Sequence, residues 1–265
     1  MKDNVQAVSP RKTRAGGRRA KSAAQANERS HLEVPYIKRN IPPYEIFGEE
    51  QLIAIEQTAD RILAEVGIEI HGDDEAVRLF KEAGAKVSNV SGDNYNLKFE
   101  PGMLREILKT APAEFEQVAR NPANNIKIGG LSTVMAPSYG SPFVMDEDKG
   151  RRYGTLDDFQ NFIKLAQSSP WFHHSGGTVC EPTDIPVNKR HLDMVFSHMK
   201  YSDRPFLGSV MKADYVADNI EMCRILFGED VVENNCVIMG NVNVNSPLVW
   251  DGEVTRVIRT YAAAG

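Results

Sequence analysis

The feature that most constrains the fold is an alternation of extended and helical segments after residue 131. Extended patterns at 172–179, 205–210 and 236–244 alternate with helical patterns at 156–168, 187–200, 213–227 and 252–264. The repeat of roughly 30–40 residues is the length of a βαβ crossover unit, and such alternation requires a parallel sheet. The choice therefore lies between an open doubly wound sheet and an α/β barrel.

Two observations favour the barrel. The predicted strands are not followed by a glycine-rich nucleotide fingerprint or a P-loop. Polar residues follow them instead, at the end where barrel enzymes carry their chemistry. These are His173, His174 and Ser175, then Glu181 and Asp184, then Asn241, Asn243 and Asn245. We therefore predict an α/β fold with a partial (β/α)8 TIM barrel.

The predicted barrel is incomplete. A full barrel takes about 250 residues, and about four β/α units fit between residue 131 and the last residue, Gly265. An open parallel sheet exposes an unpaired edge, which is a liability in solution. We expect either that the sequence is truncated or that a partner completes the barrel.

The residues before 131 follow a different pattern. A helical rhythm at 50–66 is stopped by Gly67, and a second helix starts near Asp73 and ends at Gly84. Short strands at 68–70, 96–99, 115–120 and 126–128 and a helix at 101–109 complete the pattern, and a further short strand is predicted just beyond it at 133–136. The predicted organisation is a basic disordered tail and arm (1–40), an N-terminal α+β cap (41–130) and the first half of a TIM-type barrel (131–265).

Charge and cysteine content limit the function classes. Residues 1–30 carry an excess of six positive charges, and the rest of the chain carries an excess of eleven negative charges. A solvated tail explains the basic segment better than nucleic-acid or membrane binding does. There is no run of about 18 apolar residues, and Arg18-Arg19 lacks the apolar stretch of an export signal. The three scattered cysteines fit a reducing compartment, so we expect a cytoplasmic protein without a metal site.

Several long runs carry a family resemblance. They are APSYGSPFVMD from Ala136, GRRY from Gly150, TLDDF from Thr155, HSGGTVCEPTDIPVNKRHLD from His174 and KYSDRPFLGSV from Lys200. Together they resemble the trimethylamine methyltransferase family, in particular its proteobacterial branch. The resemblance runs from about Ile37 to the end of the chain.

This resemblance implies a function and its partners. It implies an α/β barrel nearly twice this length, and methyl transfer from a methylated or quaternary amine to the cobalt of a corrinoid (cobalamin) held by a separate corrinoid protein. The chain itself would bind no cofactor directly, and the full-length form would be a homo-oligomer. Some members of the family carry pyrrolysine in the second half of the barrel. The proteobacterial branch looks like the group without it, for which betaines are the expected substrates.

The chemistry of a methylated cation selects the candidate residues. A quaternary ammonium cannot donate an N–H hydrogen bond, so aromatic faces and carboxylates must hold it. We predict that Tyr139 and Asp146 line the substrate cavity; the alternatives are that Tyr139 packs and that Asp146 caps a turn. His173 and His174 should point to opposite faces of a strand, and His174 is the candidate for gripping a substrate carboxylate, if it is not simply a core histidine.

Two further segments are candidates. Glu181 stands in a proline-stiffened loop with Asp184, where substrate or corrinoid contact and helix capping are equally good interpretations. Asn241, Asn243 and Asn245 alternate with valines. They are predicted to line one buried face of the barrel interior, around a polar substrate that supplies their hydrogen-bond partners, since each unpaired buried amide would cost about 1–3 kcal/mol. The sequence assigns no catalytic residue.

Two other functions remain open. A different barrel enzyme, such as a lyase, would need a Schiff-base lysine, and Lys212 comes closest; borohydride trapping would detect it. A non-catalytic fragment that needs a partner is the other alternative.

Overall fold

Local signals in the sequence predicted most of the helices, and the structure contains helices at those positions. The structure is a computed structural model that describes residues 37–42, 44–244 and 246–264. Most of the predicted basic tail, residues 1–36, lies outside this part. The helices are α1 (Glu49–Glu65), α2 (Asp74–Glu82), α3 (Met103–Leu108), α4 (Leu156–Ser168), α5 (Val187–Tyr201), α6 (Ala213–Phe227), α7 (Glu229–Asn234) and α8 (Gly252–Ala263). A 3-10 turn spans Pro122–Asn124.

The ends of several helices are determined by residues that lie next to them in the sequence. The Asp73 carboxylate accepts a hydrogen bond from the Ala76 amide at 3.2 Å and so caps α2. Thr155 and Asp158 form a reciprocal capping box at the start of α4. Gly67 ends α1 with φ of +79°, the left-handed conformation predicted for it. These caps fix where the helices begin and end.

The strands form several small sheets. They are β1 (Ile37–Lys38), β2 (Ile68–His71), β3 (Lys86–Ser91), β4 (Asn94–Lys98), β5 (Glu114–Gln117), β6 (Ile126–Gly129), β7 (Ser132–Thr133), β8 (Phe143–Asp146), β9 (Gly150–Tyr153) and β10 (Val249–Asp251). Antiparallel pairs join β1 to β7, β5 to β6 and β8 to β9. The largest sheet has the order β10-β2-β4-β3.

This four-stranded sheet combines three strands from the first half of the described chain with β10, which lies near its end. Strands β2, β3 and β4 pair antiparallel, whereas β10 pairs parallel to β2. Strands β3 and β10 were not predicted. Ile70 and Leu97 are fully buried between this sheet and its helices. The division into a cap and a half-barrel at residue 130 stays a prediction.

The extended segments after residue 131 differ from the predicted strands. Segments 172–179, 205–210 and 236–244 run side by side, joined by single backbone bonds such as Leu207 N to Gly176 O and Gly208 N to Met239 O, each 2.9 Å. Leu207 and Met239 form an isolated parallel bridge. The prediction of continuous strands here is therefore wrong. The physical reason is composition, because glycine weakens a ladder and Pro205 lacks an N–H.

The helices after residue 186 cover one side of these segments. Val195 of α5, Val216 and Ile220 of α6 and Val257 of α8 are buried in one cluster with Phe206. The result is a mixed α/β fold in which α5, α6 and α8 pack against the extended segments. No helix in the described ranges is long and apolar enough to cross a membrane.

Candidate functional site

The C-terminal parts of the extended segments and the loops next to them meet at one place. We call segments 137–142, 176–181, 208–212 and 240–243 the rim. The Gly140 amide donates to Thr178 O at 2.7 Å, and the Glu181 amide donates to Ser141 O at 2.9 Å. The Gly208 amide bonds to Met239, the residue just before segment 240–243. The rim therefore gathers the loops in which the sequence placed most of the candidate residues.

Tyr139 and Asn241 come together although they are 102 residues apart in sequence. The Asn241 side-chain amide donates to the Tyr139 hydroxyl at 2.6 Å. The Tyr139 side chain is 46% exposed, so its ring can still meet a ligand. Two residues predicted independently thus form one hydrogen-bonded pair on the rim.

The buried asparagine face is not observed. Asn241 and Asn243 are exposed, whereas the intervening Val242 and the following Val244 are partly buried. The alternation is present, but the amides face solvent and need no protein partner. The predicted burial of these two amides is therefore wrong. Asn245 lies outside the described residues.

Asp146 occupies a turn. Its carboxylate accepts hydrogen bonds from the amides of Asp148 and Lys149, each at 3.0 Å, and forms an ion pair with Arg152 at 3.4 Å. The two backbone bonds hold the pKa of the Asp146 carboxyl below its ordinary value. These contacts match the turn-capping interpretation of the sequence.

His173 and His174 have different surroundings. His173 Nδ1 accepts from the Met135 amide at 2.9 Å, and His174 Nδ1 accepts from the Gly176 amide at 2.9 Å. Because Nδ1 of His174 accepts, its proton sits on Nε2, and that atom is buried without a partner among the described residues. Burial lowers the pKa of His174 to about 3, so the ring is neutral at physiological pH.

Sequence reasoning missed His198. This α5 residue is buried, and its Nε2 lies 2.9 Å from Gly177 O while its Nδ1 lies 2.8 Å from the Ser175 hydroxyl. A carbonyl can only accept, so Nε2 carries the proton and Nδ1 accepts from Ser175. Burial lowers the pKa of His198 to about 4, and the neutral ring ties α5 to segment 176–181. A sequence signal for His198 was present. His191 and His198 stand seven residues apart, which is about two turns, so they lie on the same face of the predicted helix.

Glu181 lies in the wall of a cavity of about 230 Å³ between α5, the start of α6 and the rim. Its carboxylate forms an ion pair with Arg190, which also donates to Ile185 O at 3.1 Å. The neighbouring Asp184 bonds to the Leu156 amide at 2.9 Å and thus contacts the start of α4. Of the two interpretations of this loop, helix capping by Asp184 is therefore observed at α4 and not at α5, the helix after Pro186.

Comparisons with known proteins show the family of the chain. A sequence model described as trimethylamine methyltransferase matches residues 14–265. The glycine betaine methyltransferase of Desulfitobacterium hafniense (strain Y51) is 41% identical over 226 residues, which cover 85% of this chain and 46% of that protein. The L-carnitine:corrinoid methyltransferase of Eubacterium limosum is 27% identical over 217 residues, which cover 76% of this chain and 42% of that protein. The chain spans about half the length of the curated relatives it matches.

Proposed function

We propose, since the chain belongs to the trimethylamine methyltransferase family, that it takes part in moving a methyl group from a quaternary amine to the cobalt of a corrinoid. The corrinoid is carried by a separate protein and serves as the methyl acceptor. The substrate class is a quaternary ammonium that also carries a carboxylate. Support for this class comes from the two relatives, whose names specify glycine betaine and L-carnitine.

The chemistry requires a cation that is held without an N–H hydrogen bond. A neutral amine is a poor leaving group, whereas a quaternary nitrogen leaves as a neutral amine when its methyl group is attacked. An aromatic face attracts such a cation, and each contact contributes about 0.5–2 kcal/mol. The site must also leave one methyl group accessible to an acceptor that arrives on another protein.

The Tyr139–Asn241 pair carries this proposal. Asn241 fixes the Tyr139 hydroxyl and so holds the edge of the ring, while the exposed ring remains able to receive a cation. Because both side chains are exposed, the acceptor protein can approach the same place. In this proposal Tyr139 binds the ammonium group and Asn241 is a positioning residue.

The proposal extends to the architecture. The parallel arrangement at Leu207 and Met239 and the helices packed on one side support a partial TIM barrel, whose open side would hold the substrate. A corrinoid protein would then dock on the rim. Assembly into a homo-oligomer stays a prediction.

Binding of glycine betaine to the Tyr139→Ala variant tests the site. We expect the affinity to fall by about 2–30-fold, since a cation–π contact of about 0.5–2 kcal/mol is lost. Tyr139→Phe keeps the ring and loses only the bond from Asn241, so its affinity should fall less. Isothermal titration calorimetry on the 265-residue chain measures both changes.

Tyr44→Ala is the matched control, because Tyr44 is 91% exposed and lies outside the rim. Its affinity for glycine betaine should equal that of the unmodified chain. Equal affinities for the Tyr139→Ala variant and the unmodified chain would contradict the assignment of Tyr139.

Methyl transfer itself is tested by mixing the chain with a reduced corrinoid protein and a methyl donor. We expect the absorbance of the corrinoid to change on addition of glycine betaine and to stay constant with trimethylamine. No change with glycine betaine, or a change with trimethylamine alone, would contradict the proposed substrate class.

A further inference from the structure

The cavity between α5 and the rim is separate from the Tyr139–Asn241 pair. Neither of those two side chains lines it. Its apolar part includes Met194, Val195 and Leu207. Its polar part comes from eight side chains, and those that the argument uses are Glu181, Arg190, His191, Lys212 and Tyr215. An apolar cavity with a few convergent polar groups is the usual form of a small-molecule site.

The charges on the cavity wall favour an anion. Arg190 is neutralised by Glu181, whereas Lys212 forms no ion pair with any described residue. The Lys212 ammonium lies 5.7 Å from the centre of the Tyr215 ring. In addition, Arg190 Nε is buried and lacks a hydrogen-bond partner among the described residues. The cavity therefore has one excess positive charge and one unused N–H donor.

His191 adds an acceptor to this wall. Its Nε2 lies 2.7 Å from the Asp218 carboxylate, and its ring stacks on Tyr215 with centres 3.8 Å apart. Because a carboxylate only accepts, Nε2 carries a proton, and with that single proton on the ring Nδ1 is an acceptor. Within the described part of the chain this Nδ1 is buried and has no partner. A hydroxyl group of a ligand would supply the missing donor.

The size of the cavity limits the ligand. Liquid water takes up about 30 Å³ per molecule, so a volume of about 230 Å³ corresponds to roughly eight water molecules. A short organic acid with six or seven non-hydrogen atoms matches this volume. We propose that the cavity is a second binding site, for a small hydroxycarboxylate. Its carboxylate pairs with Lys212 and Arg190, and its hydroxyl donates to His191.

Calorimetric titration of the 265-residue chain with matched pairs of acids tests the proposal. Lactate is compared with propionate, and 3-hydroxybutyrate with butyrate. At least one hydroxy acid should bind 5-fold or more tightly than its partner without the hydroxyl. Equal affinities within both pairs, or no saturable binding of any of the four acids, would overturn it.

Two variants assign the contacts. His191→Phe keeps the stacking on Tyr215 but removes the acceptor, so the preference for the hydroxy acid should fall to about 1. Lys212→Gln should weaken both acids of a pair by 5-fold or more and keep their ratio. Lys109→Gln is the control, because Lys109 pairs with Glu106 on α3 and lies outside the cavity. If Lys212→Gln binds like this control, the proposal is wrong, even if His191→Phe does not fold.

The test separates this site from the proposed methyl-donor site. Tyr139→Ala should lose affinity for glycine betaine and keep its affinity for the hydroxy acid, whereas Lys212→Gln should do the reverse. Loss of hydroxy-acid binding in the Tyr139→Ala variant, while Lys212→Gln still binds the acid normally, would place the acid at the rim and overturn the second site.

Discussion

Replacing Asp73 with alanine should lower the free energy of unfolding by about 3 kcal/mol. The Asp73 side chain is 3% exposed and accepts from Thr255 Oγ1 at 2.6 Å and from Arg259 at 2.8 Å. The variant loses the cap of α2 as well, and it leaves Thr255 and Arg259 without their acceptor. Removing one partner of a buried ion pair costs about 3–5 kcal/mol. We place the loss at the low end because the Arg259 side chain is 33% exposed.

Asp73 also makes the free energy of unfolding depend on pH, in a direction that follows from its contacts. Burial opposes ionisation of Asp73, but hydrogen bonds from Thr255 and Arg259 outweigh it and hold the pKa of the carboxyl below its ordinary value. A carboxyl whose pKa is lowered by folding stabilises the protein above its unfolded pKa of about 4, and that contribution is lost as the pH falls further.

Urea denaturation of the unmodified chain and of Asp73→Asn at two pH values measures this effect. Asparagine has nearly the same shape and cannot ionise, so it isolates the charge. The stability difference between the two proteins should be larger at pH 7 than at pH 3. A difference that is constant or grows on acidification would contradict the assigned role.

Local signals in the sequence predicted local structure. Asp73, Thr155 and Gly67 act within three or four residues of themselves, so the ends of α1, α2 and α4 could be predicted. The partners of Asp73 in α8 could not be predicted. Thr255 and Arg259 are 182 and 186 residues away, and no spacing rule connects them. The parallel pairing of β10 with β2 escaped prediction for the same reason.

The candidate site shows the same limit. Sequence reasoning selected Glu181 and Asn241 by the rule that chemistry lies at strand ends, and it selected Tyr139 as an aromatic residue able to hold a methylated cation. It did not show that Tyr139 pairs with Asn241 or that Glu181 pairs with Arg190. It also did not select His191 and His198. Both lie on α5, and they reach the cavity only because this helix packs against the rim.

Replacing Gly67 with alanine should destabilise the protein by about 2–6 kcal/mol. Gly67 has φ of +79°, and a Cβ there would overlap the carbonyl oxygen of Leu97. A left-handed residue other than glycine costs about 1–3 kcal/mol, and forcing atoms into a packed region costs about 1–3 kcal/mol more. The overlap involves backbone, so relief requires β4 to move away from β2, where Ile68 pairs with Leu97.

Gly92→Ala separates the two contributions. Gly92 has φ of +57°, but a Cβ there would meet no atom within 4 Å. Its substitution should therefore cost only the conformational part, about 1 kcal/mol. Urea denaturation of both variants gives the difference directly, and a difference of about 2 kcal/mol or more is expected. If the two variants lose the same stability, the close approach of Gly67 to Leu97 does not constrain the fold, and the contact between β2 and β4 at this point tolerates a side chain.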